Sequence, residues 1–136
     1  MTVLVVDNDE AFREYIANLL LTCGVEKIEL TSNTEQALKK ISIACFDIIL
    51  VDLFMPDMNG LQFAQKCRKR MPKTRIILLI EDQQLPAVNN AAQSKLNFPT
   101  LLKSFVSRDL PQLLSVESNF NVSNDVKNFF LFSEML

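Results

Sequence analysis

The sequence predicts an α/β fold, a doubly wound parallel sheet of five strand–helix units, and three observations lead there. Five short apolar runs recur at similar intervals: Val3–Val6, Ile28–Leu30, Ile48–Val51, Ile76–Ile80 and Leu101–Leu102. Most are continuous rather than alternating, which is how strands buried on both faces read. Apolar residues at helical spacing fill the intervals between them. With 136 residues, 49% hydrophobic and 22% charged, the chain has the length of one domain and a globular composition.

The first strand ends in Asp7-Asn8-Asp9-Glu10. Phe12, Ile16, Leu19, Leu20 and Cys23 then recur at helical spacing, and Gly24 supplies a stop. Glu29 interrupts the second strand, as suits the edge of a sheet. Ser32-x-x-Glu35 fits a capping box before Ala37, Leu38 and Ile41. The third strand is apolar throughout. After it, Leu61, Ala64 and Cys67 lead to Arg68-Lys69-Arg70, and Pro72 ends the run. That basic cluster reads first as a solvated last turn favoured by the helix dipole, and second as a nucleic-acid patch. Gln84–Leu96 is a weaker helix, with Pro86 near its start and Asn89-Asn90 inside. The last helix begins near Ser107-Arg108-Asp109, places Pro111 in its first turn and runs through Leu113 and Leu114.

These units make a three-layer domain over residues 1–117. Residues 118–136 are a separate Phe-rich tail, with Val122, Val126, Phe129 and Phe130 on one helical face. Such a tail docks on the domain, pairs with another copy or opens a further region.

Composition removes several functions. There is no histidine, which excludes histidine triads, His-containing zinc sites and histidine autophosphorylation. A net charge of −2 gives no basic excess for nucleic acid or anionic lipid. Cys23, Cys45 and Cys67 are odd in number and form no C-x-x-C pair, so they read as small apolar residues in a reducing compartment. The start lacks the basic region and apolar length of a signal peptide, and no stretch approaches the roughly 20 apolar residues of a membrane span. A cytoplasmic protein is expected.

In open parallel sheets, sites lie beyond the carboxyl ends of the strands, near the point where strand order reverses. Asp7-Asn8-Asp9, Asp52, Glu81-Asp82 and Lys103 stand at such ends. Carboxylates meeting from two strands opposite a lysine suit a hard cation with oxygen ligands, and suit phosphoryl chemistry. Each has a simpler use: Asp9 is well placed to cap the first helix, and Lys103 to be solvated. Asp52, at the end of an apolar strand and before Met55-Pro56-x-x-x-Gly60, has no such use.

Val5-Val6-Asp7-Asn8-Asp9-Glu10, the block Asp47–Gly60 with Asp52 and Met55-Pro56-x-x-x-Gly60, and Leu101-Leu102-Lys103 together resemble the response-regulator receiver domain of two-component signalling. The likeness covers roughly residues 2–117. It implies a flavodoxin-like sheet of order 2-1-3-4-5 with Asp52 as phosphoacceptor and Lys103 pairing with the phosphoryl oxygens. It also implies Mg²⁺ held by Asp7, Asn8, Asp9, Asp52 and the backbone carbonyl of Phe54. The phosphate donor would be a partner histidine kinase or phosphotransfer protein. The chain itself would be no enzyme beyond phosphorylation and dephosphorylation at Asp52. The face from the fourth strand to the fifth helix, or the tail, offers a surface for a homodimer. No nucleic acid or membrane is implied within these residues.

The pattern is broken at several positions. Asn8 replaces the second acid of strand one, removing a charge worth about 4 kcal/mol at 4 Å and an effective dielectric of 20, so Mg²⁺ binding should be weak. Ile80 stands where a Ser or Thr hydroxyl is usual, Glu81 where a small residue is usual, and Thr100 at the aromatic switch position. Ser104 replaces the proline after the lysine, so a cis bond there is disfavoured by about 2.5–4 kcal/mol. Two other readings follow. One is a pseudo-receiver, an interaction module that does not depend on phosphorylation. The other, more remote, is a haloacid-dehalogenase-like phosphatase with Asp7 as nucleophile and Asp9 as acid/base.

Overall fold

A computed structural model describes residues 1–86 and 98–115. The expected tail, and most of the expected helix Gln84–Leu96, lie outside the described residues. The strands are β1 (Thr2–Val6), β2 (Lys27–Thr31), β3 (Ile48–Asp52), β4 (Arg75–Ile80) and β5 (Thr100–Leu102). The helices are α1 (Glu10–Thr22), α2 (Thr34–Ile43), α3 (Gly60–Arg70) and α4 (Val106–Ser115). One five-stranded sheet runs in the order β2-β1-β3-β4-β5. That is the flavodoxin-like, doubly wound order, with the reversal between β1 and β3. The chain divides into two compact units, Met1–Ile77 and Leu78–Leu136.

In the first unit, β1 pairs in parallel with β2 and with β3, in the register Val6 with Thr31 and Val6 with Val51. Every residue of β3, and Val3–Val6 of β1, is buried. The continuous apolar runs thus meant what they imply: a strand in mid-sheet has no solvent face to spend polar residues on. β2, at the edge, carries the exposed Lys27 and half-buried Glu29 that its interrupted pattern foretold.

Asp9 caps α1, its Oδ1 accepting the Phe12 N–H at 3.2 Å. Gly24 ends the helix with φ +88°. The Val25 N–H reaches the Leu20 carbonyl and the Gly24 N–H the Leu21 carbonyl, a Schellman closure that only a residue tolerant of positive φ allows cheaply. α2 corrects the sequence reading. Its cap is Asn33, whose Oδ1 accepts the Gln36 N–H at 2.8 Å, not Ser32 in a box with Glu35. Asn at the cap competes at least equally with Ser, and Glu35 instead faces Lys39 at 3.9 Å in solvent. α3 packs on β3 and α2, burying Phe63, Ala64 and Cys67.

In the second unit, β4 and β5 pair in parallel with Ile80 opposite Leu102. A single 3-10 turn, Lys103–Phe105, leads into α4. α4 starts at Val106, one residue from the expected Ser107, and Pro111 sits inside it rather than in its first turn. Asp109 is wholly buried and pairs with Arg108 at 2.7 Å, while the Arg108 guanidinium lies 4.4 Å from the centre of the Phe105 ring.

The thiols do not share one environment. Cys67 is buried, and burial pushes its pKa up to about 12. Cys23 is half-buried and Cys45 exposed, so of the three only Cys67 is packed in the core. Among the described residues no helix is long and apolar enough to cross a membrane.

Candidate functional site

The order reversal falls between β1 and β3, and each of these strands delivers an acid there. Val6 is paired with Val51, so Asp7 and Asp52, one residue further on, stand side by side at the carboxyl end. Asp7 is fully buried and Asp52 is 6% exposed. Two carboxylates removed from water at neighbouring positions need compensation by hydrogen bonds, cations or both. Part of it is local. The Asp9 N–H donates to Asp7 Oδ1 at 2.9 Å, and the Phe54 N–H donates to Asp52 Oδ1 at 2.9 Å. Arg13, from the first turns of α1, donates from Nη1 to the Asp7 carbonyl at 2.5 Å, bringing a guanidinium to the end of β1.

The Met-Pro-x-x-x-Gly block has a mechanical reason. α3 starts hard against the end of β3. The Gly60 N–H donates to the Leu53 carbonyl at 2.8 Å. A Cβ on Gly60 would stand 2.2 Å from the Asp52 carbonyl oxygen and 2.7 Å from the Leu53 Cα. Only glycine permits that approach. Asn59 caps the same helix, its Oδ1 accepting the Leu61 N–H at 2.7 Å, and Met55 is buried beneath the turn.

Asp57, in this same turn, was not singled out from sequence. Its Oδ2 accepts from the Thr34 N–H at 3.0 Å, the Thr34 hydroxyl at 2.8 Å and the Glu35 N–H at 3.3 Å. It therefore supplies to α2, from 23 residues away, the negative charge that a helix N-terminus favours. Desolvation raises its pKa, but the bonds from Thr34 and the backbone outweigh this and hold it below the ordinary 3.8. Because the folded value is the lower one, the stabilisation is complete above the unfolded value and is lost as pH falls through the folded one. Asp57→Ala is expected to lower unfolding free energy by about 1 kcal/mol at pH 7, with the difference from wild type closing below about pH 4. Urea denaturation across pH checks both. Asp57 lacked any sequence signal because its partner Thr34 lies 23 residues away, and Arg13 because its acceptor is a backbone carbonyl, which no residue type marks.

The second unit holds the remaining candidates. Glu81 and Lys103 each follow directly on the paired residues Ile80 and Leu102. Ile80 is wholly buried and has no hydroxyl. The Glu81 N–H donates to Gln84 Oε1 at 2.8 Å, and the Glu81 carboxylate accepts from Gln83. Thr100 is buried, its hydroxyl donating to the Phe98 carbonyl at 3.4 Å. The Ser104 hydroxyl donates to Asp82 Oδ1 at 2.7 Å, and no peptide bond among the described residues is cis, as the loss of proline implies.

For a divalent cation, Asp7, Asp52, the Asn8 amide oxygen and the Phe54 carbonyl make an all-oxygen donor set of the right kind. It is poor in charge, since among the described residues no three acids are grouped to hold a metal. Asp9 has one oxygen committed to its helix.

Comparison with known proteins agrees with this geometry. The chain is 33% identical over 115 residues to the DNA-binding transcriptional regulator NtrC of Azospirillum brasilense, covering 85% of this chain and 23% of that protein. It is 31% identical over 106 residues to the autoinducer 1 sensor kinase/phosphatase LuxN of Vibrio harveyi, covering 76% of this chain and 12% of that one. This chain thus spans a minor part of both relatives. Among solved structures, the response regulator TrrA of Thermotoga maritima in complex with Mg²⁺ and BeF superposes with a TM-score of 0.67 at 28% identity, over 84% of this chain and 96% of that one. The family model of the response regulator receiver domain matches residues 3–115. By its sequence, its strand order and the acids at its sheet reversal, this chain belongs to the response regulator receiver domain family.

Proposed function

We propose that this chain is a receiver module that accepts a phosphoryl group on Asp52 from a histidine kinase or a phosphotransfer protein. The observation that carries the reading is the pairing of two buried carboxylates, Asp7 and Asp52, at the reversal of the sheet, with one oxygen of Asp52 already fixed by the Phe54 N–H. In the transfer, an Asp52 oxygen forms a bond to phosphorus as the P–N bond of a partner phosphohistidine breaks, and the imidazole leaves with the electron pair. Lys103 pairs with the phosphoryl oxygens. Asp7, Asn8, Asp9, Asp52 and the Phe54 carbonyl would hold Mg²⁺. When bound there, the cation would supply charge compensation for the transferring group. Asn8 in place of an acid makes that binding weak. We read this module as cytoplasmic, with no chemistry of its own beyond phosphorylation and dephosphorylation at Asp52.

Incubated with Mg²⁺ and acetyl phosphate, the protein is expected to gain the mass of one phosphoryl group, and Asp52→Asn to gain none. An adduct of equal yield on Asp52→Asn, or none on the wild type with any donor, overturns the reading.

A second reading, a pseudo-receiver, is favoured by Ile80. A buried isoleucine has no hydroxyl to turn toward a phosphoryl group, and Glu81 beside it carries like charge. A phosphorylated Asp52 that leaves amide spectra of β4 and β5 unmoved would select an acceptor without the usual switch.

A further inference from the structure

The helices α2 and α3 pack together and leave a groove of about 430 Å³ lined by Leu38, Ile41, Lys66, Lys69 and Arg70. Its floor is aliphatic and its rim cationic. The chain carries 16 acids against 14 bases, yet α2 has no acid after Glu35 and α3 has none. Cations are therefore segregated onto this face. Among the described residues Lys66, Lys69 and Arg70 form no ion pair, while Lys40 is already matched to Glu29 at 3.1 Å. The helix dipole accounts for cations in the last turn of α3 but not for Lys66, one turn earlier. Lys66 and Arg70 are a like-charged i,i+4 pair, which weakens a helix rather than supporting it. Arg70 is held in place, its Nη2 donating to the Ser42 carbonyl at 2.9 Å. Ile43, at the same end of α2, is 87% exposed.

We propose that the α2–α3 groove docks an acidic polypeptide segment carrying an aliphatic side chain between its carboxylates. The aliphatic group occupies the Leu38–Ile41 floor and the carboxylates meet Lys66, Lys69 and Arg70. A nucleic-acid backbone supplies the charge but nothing apolar for the floor, so it is the poorer match. The surface works whether or not Asp52 takes a phosphoryl group.

The test uses the full chain and a fluorescein-labelled amphipathic peptide of Glu and Leu, read by anisotropy. Binding is expected, with amide shifts confined to α2 and α3. Lys66→Glu with Lys69→Glu, both exposed and checked for folding by circular dichroism, is expected to weaken it about tenfold or more, as like charges across a contact do. Raising salt from about 0.1 to 1 M, which shortens the screening length from about 10 to 3 Å, should weaken it too. Asp52→Asn should bind as wild type, which separates this surface from the acceptor site. The proposal is overturned by no binding, by equal binding to the charge-reversed variant, or by equal binding of an all-Glu peptide. Tighter binding of a single-stranded oligonucleotide or of phosphatidylserine vesicles also overturns it.

Discussion

Gly60→Ala is expected to lower the stability of this chain by about 2 kcal/mol and to slow the phosphoryl acceptance proposed for Asp52. Two effects oppose each other. Alanine in a helix is favoured over glycine by roughly 1 kcal/mol, so propensity alone predicts a gain. The new Cβ, however, meets the Asp52 carbonyl oxygen at 2.2 Å and the Leu53 Cα at 2.7 Å. Neither is a side chain that can rotate aside. Overpacking against backbone lies at the upper end of its usual range, about 3 kcal/mol, and wins. The relief must come from moving α3 or the end of β3, where Asp52, the acceptor proposed above, stands. Urea denaturation measures the first effect and the rate of adduct formation with acetyl phosphate the second. A variant as stable as wild type would mean that the close approach is not as tight as described.

Phe63→Ala is expected to cost more, about 4 kcal/mol. Phe63 is wholly buried on α3, and α3 packs on β3. Removing a buried phenyl ring loses its transfer free energy and leaves a cavity that a sheet cannot collapse to fill, a combination worth about 3–5 kcal/mol. Against a typical total of roughly 5–15 kcal/mol, that is a large share. Denaturant midpoints with unchanged slope would establish it. A loss under about 1 kcal/mol would show that α3 can repack.

The two variants also mark what the sequence could and could not tell. The central strands were legible because Val3–Val6, Ile48–Val51 and Ile76–Ile80 are buried, so burial wrote itself into continuous apolar runs. The edge position of β2 was legible in Glu29. The acids at Asp7 and Asp52 were legible because charge at the end of an apolar strand is costly without a use. The cap of α2 was misread because Ser32 and Asn33 are near-equal candidates, and the deciding partner, Asp57, arrives from another loop. The start of α4 was read to within one residue, but Pro111 was placed in its first turn, where proline is most at home, and lies one turn further in. Gly60 was noticed as part of a motif, while its reason, contact with a backbone eight residues earlier, appears only in three dimensions.

The unequal shielding of the three thiols gives the chain a built-in clock. At neutral pH an alkylating reagent attacks thiolate, so Cys45 is modified at once, Cys23 later, and Cys67 only in the moments when α3 lifts away from its seat. The slow phase of such labelling, compared between wild type and the α3 variants, reports the opening of that helix in the untagged native protein.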